Sequence, residues 1–461
     1  MMSNNNIIVR FAPSPTGPLH IGGARTALFN WLFAKKYKGL FLLRIEDTDK
    51  QRSKEEFENQ IKDTLNWLEI NPDKEAIKQS KNINKHIEVA NRLLSEGHAY
   101  KCFCSIEDLE KEREASKKKN LPYIYSGKCR EEKIDNKGSF VIRFKSKKNG
   151  SFVLEDLVQG KIEISNSTIE DFVLLRADNT PTYQLSASVD DYLMNITHVI
   201  RGDDHKINAF KQIQIFQALG WKEPQYAHIP LIHSKEGKKL SKRDGAATVE
   251  DYQKIGILPE SLRNYLLRLG WSYKDKEIFS LQESIDLFDL NGIGKSPSKL
   301  DMNRILSINE SYIKSLDQDK LFQYFNQYAN NFKEKIENIF LTKIKNNFDV
   351  FRNKAKTLED IYNNASFVFK RHDLDLKKVL TPSEIELLSF FYKKIKDLNN
   401  DDIEEIKLII DKTILEKNIK FKEFGQPIRL ALTGTKFAPS INEIIKSLGV
   451  NEIKFRLALH F

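Results

Sequence analysis

Apolar residues near the start of the chain alternate between short strand-like runs and longer stretches with helical spacing. Residues 7–11 (IIVRF) are rich in β-branched side chains, which predicts a short buried strand. Prolines then interrupt regular structure, and apolar residues recur with helical spacing over 24–38, ahead of Gly39, which is expected to end the helix. A second strand is predicted over 41–47. The pattern therefore predicts a strand, a helix and a second strand in this region.

A further helix is predicted to begin at Ser53. Glu56 follows three residues later, a spacing that is typical of a capping box, in which the two side chains satisfy each other's backbone amides. We therefore expect Ser53 to be the N-cap of this helix.

The middle of the chain interrupts the strand–helix–strand pattern, which then resumes. Residues 101–161 contain short strands and glycine turns, which indicates an inserted domain. Apolar strands at 198–201 and 229–232 then flank a helix predicted over 207–219. This return is typical of the second half of a split nucleotide-binding fold.

The pattern from residue 248 onward is almost wholly helical. Thr381, Pro382 and Glu384 mark one helix start, with an N-cap, a proline at the first helical position and an acidic residue at the third. Apolar stripes follow over 385–398 and 403–414. Such stripes predict a helical core and carry no chemistry.

Composition limits the class of protein. A chain of 461 residues is too long for one ordinary core, so several domains are expected. The formal net charge of +10 suits an acidic partner, of which RNA is one option. The three cysteines exclude a disulfide framework, and no apolar run reaches membrane-spanning length. Without a secretory signal at the start, a cytoplasmic protein is expected.

One short run, residues 13–23 (PSPTGPLHIGG), lies between the first predicted strand and helix. Free backbone amides at a helix start and the helix dipole favour phosphate, and Gly22 and Gly23 let the backbone approach it closely. Thr16 and His20 can add side-chain donors. A Gly-Gly helix start alone would indicate no more than a turn before a helix. The whole run is far too specific for that interpretation.

A second short run, residues 239–243 (KLSKR), lies between glycines and predicts a mobile basic loop. By itself it fits a solvated surface loop. In this order, however, the two runs resemble the HIGH and KMSKS signatures of class I aminoacyl-tRNA synthetases. Their surroundings resemble the glutamyl branch, in which Gly23 and Arg243 are common variants of the signatures. Because residues 425–434 also resemble the C-terminal domain of this branch, the resemblance covers nearly the whole chain.

The resemblance implies an α/β plus all-α architecture. A split Rossmann-type catalytic domain would hold an inserted α/β acceptor-binding domain and be followed by helical stem-contact and anticodon-binding domains. The expected boundaries are 1–78 and 186–235 for the catalytic domain, 79–185 for the insert, 236–310 for the stem-contact domain and 311–461 for the anticodon-binding region, with a subdivision near 378.

The resemblance also implies a reaction. ATP with Mg²⁺ and L-glutamate would give glutamyl-adenylate, and the activated glutamate would pass to the terminal ribose of tRNA(Glu). Bound tRNA is usually needed for the first step in this branch. Whether tRNA(Gln) is a second substrate stays open, and a monomer is expected. The implied ATP-binding residues are Thr16, His20, Gly22, Gly23, Lys239, Ser241, Lys242 and Arg243, with His20 and Lys242 as the catalytic pair.

A glutamate pocket follows from the same resemblance. Planar guanidinium groups suit carboxylates, so Arg10 and Arg201 would meet the side-chain carboxylate of glutamate. Without the two signatures, both arginines could equally be strand-end ion pairs, and Tyr183 could be a core residue. The implied residues are Arg10, Ala12, Ser14, Glu46, Tyr183 and Arg201.

The cysteines form a cluster in the sequence. Cys102, Cys104 and Cys129, with Glu131 two residues further on, match the spacing of a structural zinc site in part of the family. A carboxylate can bind zinc, although the usual fourth ligand there is histidine. The alternative is a site that has lost its metal and keeps three small buried thiols.

Three other functions compete with a glutamate–tRNA ligase. A truncated relative that glutamylates a modified base lacks an anticodon-binding region, which residues 311–461 argue against. A small-molecule adenylate ligase with the HIGH signature would not need the helical C-terminal half. A catalytically silent RNA-binding paralogue is disfavoured by the intact Thr16, His20 and Lys242.

Overall fold

The computed structural model describes residues 7–131, 138–234, 237, 248–399 and 403–461. Two compact units emerge from the packing of the chain. The first comprises Met1–Asp251 and Leu262–Asp301, and the second comprises Tyr252–Ser261 and Met302–Phe461.

The strands of the described chain all belong to the first unit. They are β1 (Ile8–Phe11), β2 (Leu40–Ile45), β3 (Ile77–Lys78), β4 (Ala99–Cys102), β5 (Val141–Phe144), β6 (Ser151–Asp156), β7 (Gly160–Ser165), β8 (Val173–Leu175), β9 (His198–Gly202), β10 (Gln225–Ile229), β11 (Ile232–His233) and β12 (Ser298–Lys299).

Helices are present in both units. They are α1 (Ile21–Lys36), α2 (Glu55–Trp67), α3 (Ile83–Ser95), α4 (Ile106–Lys118), α5 (Tyr183–Leu193), α6 (Lys206–Ala218), α7 (Val249–Lys254), α8 (Pro259–Arg268), α9 (Leu281–Leu287), α10 (Met302–Ser315), α11 (Gln318–Phe332), α12 (Asn338–Asn346), α13 (Phe348–Arg352), α14 (Leu358–Phe369), α15 (Leu376–Val379), α16 (Pro382–Ile395), α17 (Ile403–Lys417), α18 (Phe421–Thr433), α19 (Ile441–Leu448) and α20 (Val450–Ala458).

Parallel strands form the centre of the first unit. β1 pairs with β2, and β2 pairs with β3, while β9 pairs with β10. Thr197, just before β9, donates its amide to the Ile8 carbonyl at 2.9 Å and so places the second pair beside β1. The carboxyl ends of strands from both halves therefore meet, which is where open α/β sheets bind ligands.

The chain between the two halves forms a separate antiparallel region. β5 pairs with β4 and β8, and β6 and β7 form a hairpin. The hairpin is tied to the central sheet because Leu157 donates its amide to the Tyr226 carbonyl of β10 at 2.9 Å. This contact brings the end of β6 next to the strands that carry the cavity described below.

Most elements predicted from periodicity in the first unit are confirmed, with two corrections. The predicted capping box at Ser53 is wrong, since α2 begins at Glu55 and its N-cap is Lys54, without a side-chain hydrogen bond. Three glutamates in the first turn of α2 complement the helix dipole instead. The strand predicted over 229–232 is split, because proline at 230 has no amide to donate to a ladder.

The described part of the second unit is helical. The helix start predicted at Thr381 is confirmed: Thr381 caps α16 in a capping box with Glu384, and proline occupies the first turn. Its buried residues Leu388, Phe391 and Ile395 are on the predicted stripe. Among the described helices of the whole chain, none is long and apolar enough to cross a membrane.

Candidate active site

A cavity of about 460 Å³ lies at the carboxyl ends of the parallel strands in the first unit. Its wall is formed by the ends of β1, β2 and β9, the start of α1 and α5, and the chain after β10. Residues predicted from the sequence for the glutamate pocket and the phosphate loop meet there. They are Arg10, Ala12, Ser14, Gly22, Gly23, Glu46, Tyr183 and Arg201.

Arg201 is a buried cation whose described partners are all neutral. Its guanidinium donates to four acceptor atoms, and Arg201 as a whole is only 6% exposed. No carboxylate of the described chain forms an ion pair with it, so its positive charge is not directly paired in the wall of the cavity, which Asp204 also lines. The partners are His228 Nε2 at 3.2 Å, the Tyr183 hydroxyl at 3.3 Å, Gln212 Oε1 at 2.9 Å and the His205 carbonyl at 3.2 Å.

Arg10 lies in the same wall but is paired differently. Its Nε donates to Asp191 Oδ1 at 2.9 Å, and Asp191 also accepts from Arg44 at 2.5 Å. Arg44 in turn donates to Glu46 at 3.0 Å. Burial alone would raise the pKa of Asp191, but Arg10 and Arg44 hold it below its ordinary value. Arg10 is therefore largely neutralised by the protein itself, whereas Arg201 is not.

Glu46 directly follows β2 at the edge of the cavity and is 9% exposed. Burial raises its pKa, although the adjacent Arg44 opposes this. Arg44 uses one carboxylate oxygen of Glu46, and the second oxygen leaves acceptor capacity for a cationic group of a ligand.

The predicted phosphate loop begins α1. His20 is the N-cap, and its Nδ1 accepts from the Gly22 amide at 3.3 Å. A Cβ at Gly23 would come within 2.9 Å of Leu19 Cδ1, so a larger residue there would require the Leu19 side chain to shift. At Gly22 the nearest atom would be 3.6 Å away, so what glycine provides there is backbone exposed to the cavity. Thr16 is exposed and lies outside the described lining.

The predicted basic loop is described only at its ends. Lys239, Ser241, Lys242 and Arg243 lie outside the described residues. Beyond the loop, Thr248 forms a β-bridge with His20, and the Val249 amide donates to the Leu19 carbonyl at 3.1 Å. The described residues that follow the loop are therefore attached to the start of α1, whereas the place of Lys242 itself stays a proposal.

Arg25, on the buried side of α1, ties this helix to the chain that leads into the loop. Its guanidinium donates to the Leu269 carbonyl at 2.7 Å and to the Pro230 carbonyl. Burial lowers its pKa to about 10, although Asp203 opposes the shift. This residue lines the cavity and adds a buried positive charge to those of Arg10 and Arg201.

The three cysteines meet at a separate place, in the antiparallel region. The sulfur atoms of Cys102, Cys104 and Cys129 all lie within 4.8 Å of one another, a donor set that suits zinc. The predicted fourth ligand Glu131 is not among them: its side chain is 85% exposed and lies 3.4 Å from Arg130. Instead, the Tyr125 hydroxyl lies 3.3 Å from Cys102 Sγ and 3.4 Å from Cys104 Sγ.

Comparison with known families decides the class of protein. A family model described as "tRNA synthetases class I (E and Q), catalytic domain" matches residues 6–307. A second, described as "Anticodon binding domain", matches residues 319–460. The chain belongs to the class I tRNA synthetases. The resemblance inferred from the two signature runs is thereby confirmed.

Individual relatives align with this synthetase over almost its whole length. The glutamate–tRNA ligase of Pelagibacter ubique is 54% identical over 98% of both chains. That of Lawsonia intracellularis is 42% identical, again over 98% of both chains. A crystal structure of a glutamate tRNA ligase from Elizabethkingia meningosepticum in complex with its amino acid is 30% identical, covers 99% of both chains and has a TM-score of 0.84.

Several residues of the synthetase site were missed by sequence reasoning. Asp191 and His228 contact the two arginines, but they are 181 and 27 residues away from them in the chain. Local patterns carry no signal for such pairings. Tyr125 precedes Cys129 by four residues in a segment without helix or strand, so its closeness in the sequence was the available signal.

Proposed function

We propose that this synthetase is a glutamate–tRNA ligase. An oxygen of the glutamate α-carboxylate attacks the α-phosphorus of ATP, pyrophosphate leaves, and glutamyl-adenylate remains. A terminal ribose hydroxyl of tRNA(Glu), the 2′-OH in class I relatives, then attacks the activated carbonyl carbon, and AMP leaves. The relatives named above carry this activity in their names, and a full-length likeness to them supports the proposal.

The observation that carries the proposal is the uncompensated Arg201. A buried guanidinium without a carboxylate is costly, and a ligand carboxylate at this place would offset that cost. The side-chain carboxylate of glutamate has the charge and planarity that a guanidinium pairs with. The amide of glutamine lacks the charge. Arg201 therefore supports selection of glutamate over glutamine.

The remaining groups have roles that follow from their charge. Glu46 receives the ammonium of glutamate, and the backbone at Ala12 and Ser14 positions its α-carboxylate near the α-phosphorus. Tyr183 holds Arg201 through its hydroxyl. Arg10, already paired with Asp191, contributes shape and hydrogen bonding more than net charge.

ATP lies along the start of α1 in this proposal. Gly22 and Gly23 give the phosphates access to the backbone, and the dipole of α1 and the buried Arg25 favour negative charge. His20 donates to a phosphate oxygen, and Lys242, with Lys239, Ser241 and Arg243 beside it, approaches the leaving pyrophosphate. Mg²⁺, bound together with ATP, would neutralise phosphate charge. Catalysis is then positioning and charge stabilisation without a covalent enzyme intermediate.

The cysteine cluster is proposed as a structural zinc site. Cys102, Cys104 and Cys129 would supply three sulfur donors, and the Tyr125 hydroxyl lies within hydrogen-bond distance of two of them. Burial alone would raise the pKa of Cys102, but hydrogen bonds from Tyr125 and from the Cys104 amide bring it below its ordinary value. Zinc would fix the chain between β4 and the segment at Cys129.

The proposed division of labour follows the predicted domains. The insert (79–185) contacts the acceptor end of tRNA, residues 236–310 the stem, and the helical region (311–461) the anticodon. We place the enzyme in the cytoplasm as a monomer. A silent RNA-binding paralogue is not favoured by a cavity that brings Arg201 and Glu46 together with Gly22 and Gly23 of the phosphate loop.

Charging assays test the proposal. The full-length enzyme, with ATP, Mg²⁺ and glutamate, is incubated separately with tRNA(Glu) and tRNA(Gln) transcripts. Glutamylation of tRNA(Glu) is expected, and the second transcript reports whether tRNA(Gln) is also a substrate. Formation of adenylates from other acids without tRNA, or no charging at saturating ATP, would contradict the proposal.

A further inference from the structure

A buried histidine contacts Arg201, and a buried aspartate contacts that histidine. His228 is on β10 and is fully buried, and Asp156 is at the end of β6 and is 4% exposed. Asp156 Oδ2 lies 2.6 Å from His228 Nδ1, and His228 Nε2 lies 3.2 Å from Arg201 Nε. The three side chains thus form one chain of hydrogen bonds from the insert to the cavity.

The chemistry of the end groups fixes the state of the histidine. A guanidinium can only donate and an ionised carboxylate can only accept, so the ring between them must accept at Nε2 and donate from Nδ1. That state is the neutral ring with its proton on Nδ1. Asp156 also accepts from the Val158, Gln159 and His228 amides, which holds the carboxylate in place.

The interposed ring has an electrostatic consequence. Where a carboxylate contacts an arginine directly, as Asp191 contacts Arg10, the cation is neutralised. At Arg201 a neutral ring takes that place, and the negative charge lies one ring further away. Arg201 is thereby oriented without losing the charge that a substrate carboxylate needs.

We propose that Asp156 and His228 are positioning residues that set the specificity of Arg201 for glutamate. The inference rests on the proposed function. His228 fixes the guanidinium plane through Nε, and Asp156 fixes the tautomer of His228. Because Asp156 belongs to the β6–β7 hairpin, a residue of the insert orients, through His228, an arginine of the amino acid pocket.

Two amide substitutions separate this role from simple packing. In His228→Gln, the longer side chain can place an acceptor near the position of Nε2, whereas in His228→Asn the shorter one reaches only the position of Nδ1. His228→Asn is expected to raise the KM for glutamate about ten- to hundredfold, the range for one hydrogen bond to a charged group. The KM for ATP is expected to stay unchanged, and His228→Gln is expected to remain close to the unmodified enzyme.

Asp156→Asn provides a second variant. Oδ1 accepts three backbone amides, whereas Oδ2 shares only the His228 amide, so the introduced NH₂ group is expected to replace Oδ2. There it faces Nδ1 and should shift the ring proton to Nε2, against Arg201. The KM for glutamate should rise as in His228→Asn, with little change in kcat. Selective ¹⁵N-histidine labelling of the unmodified enzyme should show a neutral ring protonated on Nδ1, whose signal is lost in His228→Gln.

Several outcomes would overturn the inference. They are equal KM values for glutamate in His228→Asn and His228→Gln, parallel increases in the KM for glutamate and ATP, or a His228 signal protonated on Nε2. If the unmodified enzyme fails to charge tRNA(Glu), it is the proposed function that fails. If the unmodified enzyme charges tRNA(Glu) normally and His228→Asn has the same KM for glutamate, only this inference fails.

Discussion

At the scale of single residues, two similar arginines differ through their neighbours. Arg10 and Arg201 are both buried at strand ends in one cavity, and the sequence suggests the same role for both. Arg10 meets Asp191, whereas the described partners of Arg201 are neutral. The electrostatic difference comes from long-range pairing and not from the arginines themselves.

Buried histidines predict how the stability of the enzyme depends on pH. Burial lowers the pKa of His198 and of His228, and for His228 Asp156 only partly opposes this. In the unfolded chain both titrate near their ordinary pKa of about 6.5. Above that pH neither affects stability, but below it the unfolded state binds more protons, so stability falls by up to about 1.4 kcal/mol per pH unit for each histidine.

Unfolding in urea at about pH 7.5 and about pH 5.5 checks this expectation. The unfolding midpoint should be lower at the acidic pH. The decrease in the midpoint between the two pH values should be smaller for His228→Gln than for the unmodified enzyme. Asp156 and Asp191 have lowered pKa values and do not titrate in this interval, whereas Glu46, with its raised pKa, opposes the loss equally in both enzymes. Equal losses of stability in the unmodified enzyme and in His228→Gln would contradict the expectation.

At the scale of elements, α1 and the chain after β10 act together. Arg25 on α1 donates to the carbonyls of Pro230 and Leu269, and the chain after Pro230 leads to the predicted loop with Lys242. A lysine has one nitrogen and cannot replace a fork that bridges two carbonyls. The start of α1 and the base of the loop are therefore held in register by one guanidinium.

We expect Arg25→Lys to lower kcat for adenylate formation about tenfold, the cost of about one hydrogen bond to a charged group. The KM for glutamate should change little, because Arg201 is not involved. Arg52→Lys, which alters an exposed arginine of the same unit, is the matched control. Pyrophosphate exchange in the presence of tRNA measures both. Equal activity of the two variants would contradict this role for Arg25.

The cysteine cluster gives a prediction for the antiparallel region. The enzyme purified without chelator should contain about one zinc per chain if the three thiols hold the metal. Tyr125→Phe removes the hydroxyl that contacts two of the sulfurs and should speed loss of zinc to a chelator, whereas Glu131→Gln should not. Faster loss of zinc from Glu131→Gln than from Tyr125→Phe, or a purified enzyme without zinc, would contradict the assignment.

At the scale of the whole molecule, net charge predicts salt dependence. The formal charge of +10 suits binding to the phosphate backbone of tRNA, which releases counterions. We expect the KM for tRNA(Glu) to rise at least about tenfold between about 50 and 200 mM KCl. Measured charging rates at varied tRNA concentration check this, and a KM independent of salt would speak against phosphate contacts as the main source of affinity.

The sequence anticipated the class and most elements of this molecule because periodicity and short motifs are local. α1, α16 and the parallel strands follow from patterns within a few residues. The cap of α2 did not, since it depends on how the folded chain enters the helix. The break at Pro230 has a local cause, the missing amide of proline, which the apolar pattern of 229–232 did not reveal. The contacts of Asp191, His228 and Tyr125 with the predicted site residues depend on tertiary packing. Lys242 lies outside the described residues, so its role stays a proposal.

The central claim is that Arg201 selects glutamate by its uncompensated charge. The direct measurement is pyrophosphate exchange with tRNA present, using glutamate or glutamine, for the unmodified enzyme, Arg201→Ala and the control Arg176→Ala, whose arginine is exposed. Arg201→Ala should lose about a hundred- to thousandfold in kcat/KM for glutamate and with it the preference over glutamine, while Arg176→Ala keeps both. An Arg201→Ala enzyme that still prefers glutamate as strongly as before would contradict the claim.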